Sequence, residues 1–152
     1  MKNKKKYSAF TLIELMTVVV IIGVLAAIAI ANFQSAQVRA KLANTKMNMS
    51  TFQTMAVLYS VDYGSFYPFN VTELETDAKN KKYWKDFKNA FNDSTGKGLS
   101  YDDISATPTT GVVYYEPIGT PISKYYIYSG DITNGLFMKD SDSTTNFSLS
   151  NN

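Results

Sequence analysis

Hydrophobic positions are distributed unevenly along the 152 residues. From Phe10 to Phe33 the chain is apolar with Glu14 as its single charge, and the run from Leu15 to Ala31 is entirely uncharged. At about 1.5 Å per residue this stretch makes a helix of roughly 30 Å or a little more, enough to cross a bilayer core. Beyond Phe33 the pattern turns amphipathic: Leu42, Met49, Phe52, Ala56 and Tyr59 recur at helical spacing, with Arg39, Lys41, Lys46 and Gln53 on the opposite face. If the two segments are continuous, one helix runs from about Thr11 to about Tyr59, roughly 75 Å long, and Gly64 ends it. Residues 69–98 form a connecting region with a short helix or two. Thr72 and Glu75 are spaced as a capping box, and Tyr83, Trp84, Phe87, Ala90 and Phe91 make an apolar stripe. From Gly111 onward, stretches rich in Val, Ile, Tyr and Phe predict strands over 112–116, 124–129 and 136–139, with 147–149 a fourth candidate. Their separators are Pro117, Gly119 and Pro121, then Gly130 and Asn134-Gly135. Short strands with short links predict an antiparallel meander, with the alternation of Val113, Tyr115, Tyr126 and Tyr128 laying one face on the helix. The expected fold is α+β: a long N-terminal helix, apolar first and amphipathic later, packed against a small antiparallel sheet.

Composition narrows the chemistry. There is no histidine and no cysteine, which removes Ser-His and Cys-His nucleophiles, zinc-finger and iron-sulfur ligation, and disulfides. The formal charge of +2 hides an asymmetry. Lys2, Lys4, Lys5 and Lys6 precede the apolar run, and without them eleven positive and thirteen negative side chains remain. A generic nucleic-acid binder is not suggested by that balance. The leading lysines predict a cytoplasmic N-terminus, with everything after Phe33 on the far side of the membrane. A cleaved secretory signal is the competing reading, its cut falling near Ala29 to Ala31.

Glu14 does not fit a plain anchor. A carboxylate inside a spanning helix costs about 2.5 to 3.5 kcal/mol on insertion scales. The nearby helix start, with its unpaired amides, relieves part of this. The remainder calls for a cation from another molecule.

The run Ala9-Phe10-Thr11-Leu12-Ile13-Glu14-Leu15-Met16, preceded by lysines and followed by an apolar stretch with Gly23, resembles the class III signal and N-terminal helix of type IV pilins and pseudopilins. The resemblance covers about residues 5 to 40. It implies a leader over 1–9, a membrane and filament-core helix over 10–33, and a head reached through the amphipathic helix over 34–152. It implies cleavage by a prepilin peptidase between Ala9 and Phe10, N-methylation of Phe10, and pairing of Glu14 with the amino terminus of a neighbouring subunit. Two positions depart from the family pattern: Ala9 stands where Gly is usual before the cut, and Ala31 where Pro is common. Gly23, Ala27 and Ala31 fall on one helical stripe suited to close helix packing. The segment from Tyr59 to Pro68 is similar to the Tyr, Asp, Gly and Tyr-Pro turn that follows the long helix in many pseudopilins and some pilins.

The head offers two weaker candidates. Five lysines lie between Lys79 and Lys88, and Lys81, Lys82 and Lys85 around Trp84 have the composition of a DNA contact or of a solvated helix face. Asp140 and Asp142, with Thr144 and Asn146, alternate as calcium ligands do, and by resemblance the major pseudopilins carry calcium near this point. However, Thr145 replaces the EF-hand glycine and no closing glutamate follows. Adjacent Asp102 and Asp103 read as solvated loop carboxylates rather than an acid/base pair.

Taken together, the sequence predicts a non-enzymatic structural subunit of a helical surface filament, serving adhesion, motility or DNA uptake. The partners implied by resemblance are further copies of the chain, the peptidase, an inner-membrane platform, a cytoplasmic assembly ATPase, and membrane lipid before assembly. A pseudopilin of a type II secretion system, acting in the periplasm, and a membrane-anchored binding module are the alternatives.

Overall fold

The computed structural model describes residues 10–105, 107–132, 137 and 148–151. These residues contain helices α1 (Leu12–Asp62) and α2 (Val71–Asn80), and strands β1 (Tyr101–Asp103), β2 (Val113–Ile118), β3 (Lys124–Ser129) and β4 (Leu149–Ser150). The chain divides into two compact units, one through Arg39 and one from Ala40 onward.

The first unit is the leading part of α1. Its apolar side chains are exposed among the described residues: Leu12, Ile13, Val19, Leu25, Ile28 and Phe33 are all more than half exposed. A continuous apolar surface of this kind is stable in lipid or against other apolar helices, not in water. By length and composition the helix suffices to cross a membrane. It runs unbroken through Ala31, where alanine keeps the backbone donor that proline would remove.

In the second unit the remainder of α1 carries a buried stripe. Thr45, Met49, Phe52, Met55 or Ala56, and Tyr59 recur every three or four residues and all are buried. The expected stripe is thus present, with Met55 added to it and Leu42 only half-buried at its edge. After Asp62 the helix ends at Gly64, which has φ +64°, and the Ser65 amide turns back to donate to the Ser60 carbonyl at 2.8 Å.

The start of α2 differs from the expected capping box at Thr72 and Glu75. Asn70 is the cap: its side chain accepts from the Glu73 amide at 2.8 Å, and Glu73 in turn accepts from the Phe69 amide at 2.8 Å. Asn caps better than Thr, and Asp103 takes the next free donor, the Val71 amide, at 2.7 Å. Thr72 instead accepts from the Lys97 ammonium at 2.8 Å, and Glu75 pairs with Lys79 along the helix.

The sheet has the order β1-β2-β3-β4 and is mixed rather than antiparallel. Strands β2 and β3 pair antiparallel as expected, and β4, which shares only Leu149 with the candidate at 147–149, pairs antiparallel with β3 in the place expected for 136–139, while β1 joins the other edge parallel to β2, pairing Tyr101 with Val113. The link from β1 to β2 is too long for a hairpin and returns the chain in the same direction. Two aspartates made this segment look like a loop, since Asp is depleted in strands, yet they sit on an edge strand, where charge is tolerated. Asp102 and Asp103 are therefore strand residues, and Asp103 is a clasp: one oxygen holds the Val71 amide and the other the Lys97 ammonium at 2.7 Å. Of the strand expected at 136–139, Phe137 alone is described, bridging to Gly130.

The face turned to α1 also differs. Tyr115 stands opposite Ile127, and Pro117 opposite Tyr125. Val113, Tyr115, Tyr125 and Ile127 therefore share the core face, while Tyr126 and Tyr128 fall on the outer one. Phe52 meets the Tyr115 ring with centroids 5.8 Å apart, and the Tyr115 hydroxyl donates to the Pro68 carbonyl at 2.8 Å.

Two glycines and one asparagine close the end of the sheet. Buried Asn89 donates to the carbonyls of Leu99 and Thr110 and accepts from the Phe91 amide, so every loop around it is tied to one side chain. A Cβ on Gly111 would stand 2.3 Å from the Asn89 amide oxygen, and one on Gly130 would stand 1.9 Å from the Thr109 carbonyl oxygen.

Gly130→Ala is expected to lower the stability of the full chain in detergent by about 3 kcal/mol, because backbone, not a flexible side-chain tip, must move. Gly64→Ala, with open space at its Cβ, costs only the left-handed backbone term of about 1 kcal/mol. Comparable thermal midpoints for the two variants would contradict this packing. Burial pushes the phenols of Tyr101 and Tyr115 up, and those of Tyr125 and Tyr128 up to about 12. The unfolded chain ionises its tyrosines near pH 10, so this contribution is complete below about pH 10 and is lost as the pH rises through about 12. A thermal midpoint that holds between these two values would be the contrary result.

Candidate functional site

Thr11 immediately precedes α1, and its position three residues before Glu14 makes a capping box. The Thr11 amide donates to Glu14 Oε2 at 2.9 Å, the Thr11 hydroxyl donates to the same oxygen at 2.7 Å, and the Glu14 amide donates to Thr11 Oγ1 at 3.3 Å. Two helix-end amides and one carboxylate oxygen are thereby satisfied within one turn. The carboxylate also sits where the free amides of the helix start favour an anion. The Thr-x-x-Glu spacing that announces this box is present in the sequence, but it was masked by the cost of a charge in an apolar segment.

Phe10 stands before this turn and is 82% exposed. Ala9 lies outside the described residues. Along the same helix, no atom approaches the place where a Gly23 Cβ would be, and Ala27 is exposed. Ala31 belongs to the helix, with its side chain outside the described residues. Within one chain, therefore, Thr11 and Glu14 meet, while Gly23 and Ala27 are open among the described residues.

The lysines of the head separate into two kinds. Lys81 is spent on structure: its ammonium lies 3.0 Å from Asp62 and 3.0 Å from Asp77, and 4.6 Å from the Tyr63 ring centre. These two carboxylates, Asp62 foremost, hold its pKa well above the usual lysine range. Burial pushes the Asp77 carboxyl up, but hydrogen bonds from Tyr83, Lys81 and Tyr63 outweigh it and leave Asp77 below its ordinary value. Lys82 and Lys85 have no side-chain partner among the described residues. With Trp84 they line a cavity of about 360 Å³, whose other walls are Thr51, Thr54, Met55, Leu58 and Tyr83. The DNA-contact candidate thus loses Lys81 and gains an α1 face that the sequence did not announce.

A second cavity of similar size, between Tyr59, Tyr63, Glu73 and Asp77, is engaged by its own hydrogen bonds from Tyr59 to Glu73 and from Tyr63 to Asp77. Asp140 and Asp142 lie outside the described residues, and among the described residues no group of three or more carboxylates converges as a metal site.

Residues 4–30 match the family model described as the prokaryotic N-terminal methylation motif. The chain is also 58% identical over 45 residues to the type IV major pilin protein PilA of Myxococcus xanthus strain DK1622. Those residues are 30% of this chain and 20% of the relative, so the chain matches about one fifth of the length of that protein. No solved structure matches. The capped, exposed, apolar start of α1 lies within the residues that match the methylation motif, at the head of a chain built from a long helix and a small mixed sheet.

Proposed function

We propose that this protein is a structural subunit of a type IV pilin-like helical filament. The observation that carries the reading is the conjunction of the methylation motif with a helix start whose apolar residues are exposed among the described residues. A surface of that kind needs lipid before assembly and other copies of itself afterwards. The chain enters the inner membrane with its lysines in the cytoplasm, and a prepilin peptidase cuts between Ala9 and Phe10 and the new amino terminus is methylated. A membrane platform and a cytoplasmic ATPase then extract the subunit into a fibre at the cell surface that serves adhesion, motility or DNA uptake.

Glu14 and the small stripe have separate tasks in this reading. Burial of the apolar helices against one another supplies most of the association energy, with Gly23, Ala27 and Ala31 permitting close approach. The Glu14 carboxylate, held by Thr11 through Oε2 alone, meets the ammonium of Phe10 on the next chain through Oε1 and sets axial register. A buried ion pair is better suited to register than to net affinity.

Glu14→Gln keeps the side chain's size and its acceptor oxygen but removes the charge. Membrane insertion and cleavage are expected to persist, while sheared surface fibres fall to a few per cent or lose their regular spacing; fibres of normal length and spacing from this variant would refute the pairing. Mass spectrometry of wild-type fibres should find a subunit beginning at methylated Phe10. Processed protein without surface fibres would instead favour a periplasmic pseudopilin, and an uncut chain would favour an anchored binding module.

A further inference from the structure

The end of α2 contains a costly choice of residue. The Lys82 amide donates to the Lys79 carbonyl at 3.2 Å and the Tyr83 amide to the Ala78 carbonyl at 2.9 Å, which is a Schellman turn. The residue at its left-handed position is ordinarily glycine. Here it is Lys82, with φ +63°. A side chain in that conformation destabilises the turn, and nothing in the described fold offsets the cost, because the Lys82 ammonium makes no ion pair or hydrogen bond there. Backbone strain at a position the fold could give to glycine points to a task for the side chain.

That side chain stands at the rim of the 360 Å³ cavity, and the other walls are fixed in place. The Lys85 amide donates to Met55 Sδ at 3.2 Å, pinning the backbone that carries the second free ammonium. Trp84 lies between them. Its indole N–H donates to Asp86 at 2.8 Å, and its ring meets Tyr101 edge-on at 5.1 Å. Met55 and Leu58 make an apolar floor. The hydroxyl protons of Thr51 and Thr54 are spent on the Met47 and Ser50 carbonyls, so their oxygens face a ligand as acceptors. No carboxylate lines the cavity.

These walls specify a flat, partly apolar body with N–H donors, joined to an anionic group. We propose that the cavity binds a nucleoside phosphate, either free or as a single unpaired nucleotide of a strand. The base lies on Met55, Leu58 and Trp84, its N–H groups reach the threonine oxygens, and the phosphate lies between Lys82 and Lys85. The volume is at the small end for a ligand site and suits one nucleotide. Stacking on an aromatic ring with lysines on the phosphate is the chemistry by which single nucleotides are held. The site is distinct from the N-terminal segment on which assembly depends.

Trp84 is the only tryptophan, so its fluorescence reports on the cavity directly. The full chain in detergent is titrated with adenosine monophosphate, thymidine monophosphate, inorganic phosphate, an acidic peptide and an oligothymidylate. Saturable quenching by a mononucleotide, weakened as salt rises, is expected. Tighter binding of the oligonucleotide identifies a strand as the source, and equal binding identifies the free nucleotide; both support the site. Lys82→Gly supplies the separating test. It should raise the thermal midpoint, because the turn receives its preferred residue, while weakening the mononucleotide about tenfold, a loss typical for one charged contact. Lys85→Gln should weaken it similarly with no change in midpoint. The proposal is overturned by an absence of quenching at millimolar nucleotide, by phosphate or the acidic peptide binding as well as the nucleotides, or by unchanged affinity in Lys82→Gly.

Discussion

The contact on which the head depends is the one between the buried stripe of α1 and the inner face of the sheet. A sheet with strands of three, six, six and two residues is too small to be stable alone. Phe52, Met55 and Tyr59 present one continuous apolar surface, and Tyr115, Tyr125, Val113 and Ile127 cover it. The polar connections then run back to the same helix. Tyr59 reaches Glu73 on α2 at 2.7 Å, and Asn48 donates to the Lys88 carbonyl at 2.8 Å. The helix is thus a structural element of the head as well as the carrier of the N-terminal segment. Loss of its stripe would release the loops together with the strands.

Much of this was legible in the sequence because it rests on periodicity. The apolar run, the amphipathic continuation and the strand at 124–129 all follow from the spacing of hydrophobic residues between clear breakers. Register was not legible. The four residues Tyr125 to Tyr128 contain three tyrosines and an isoleucine, so either face of β3 reads as apolar, and only the pairing of Tyr115 with Ile127 decides between them. The edge strand β1 was hidden by Asp102 and Asp103, whose role as a clasp on Val71 and Lys97 exists only once the chain has folded back. Within the lysine cluster, Lys81 and Lys82 are chemically identical neighbours. Their separation into a structural ion pair and a free cavity residue is a property of the turn between them.

Glu14 illustrates a different limit. As a lone carboxylate in an apolar run it demands a cation, yet within one chain Thr11 already engages one of its oxygens. Both readings describe the same carboxylate in different surroundings. In a single copy the box stabilises the helix start and lowers the cost of placing a charge close to lipid. Both bonds from Thr11 fall on Oε2, so in the proposed filament Oε1 can serve a neighbour while the box stays closed. A buried ion pair carries little net energy, which suits a contact that sets geometry while apolar burial sets strength.

The edges of the sheet bear on how such a molecule behaves when many copies are crowded together. One edge is the three-residue β1 with its two aspartates, and the other is the two-residue β4. Among the described residues neither offers an open row of backbone donors and acceptors long enough to template a strand from another molecule. Copies held side by side at very high local concentration therefore resist joining through their sheets into amyloid-like ribbons. Association is left to the helical surfaces, so crowding alone does not convert an ordered assembly into an irreversible aggregate.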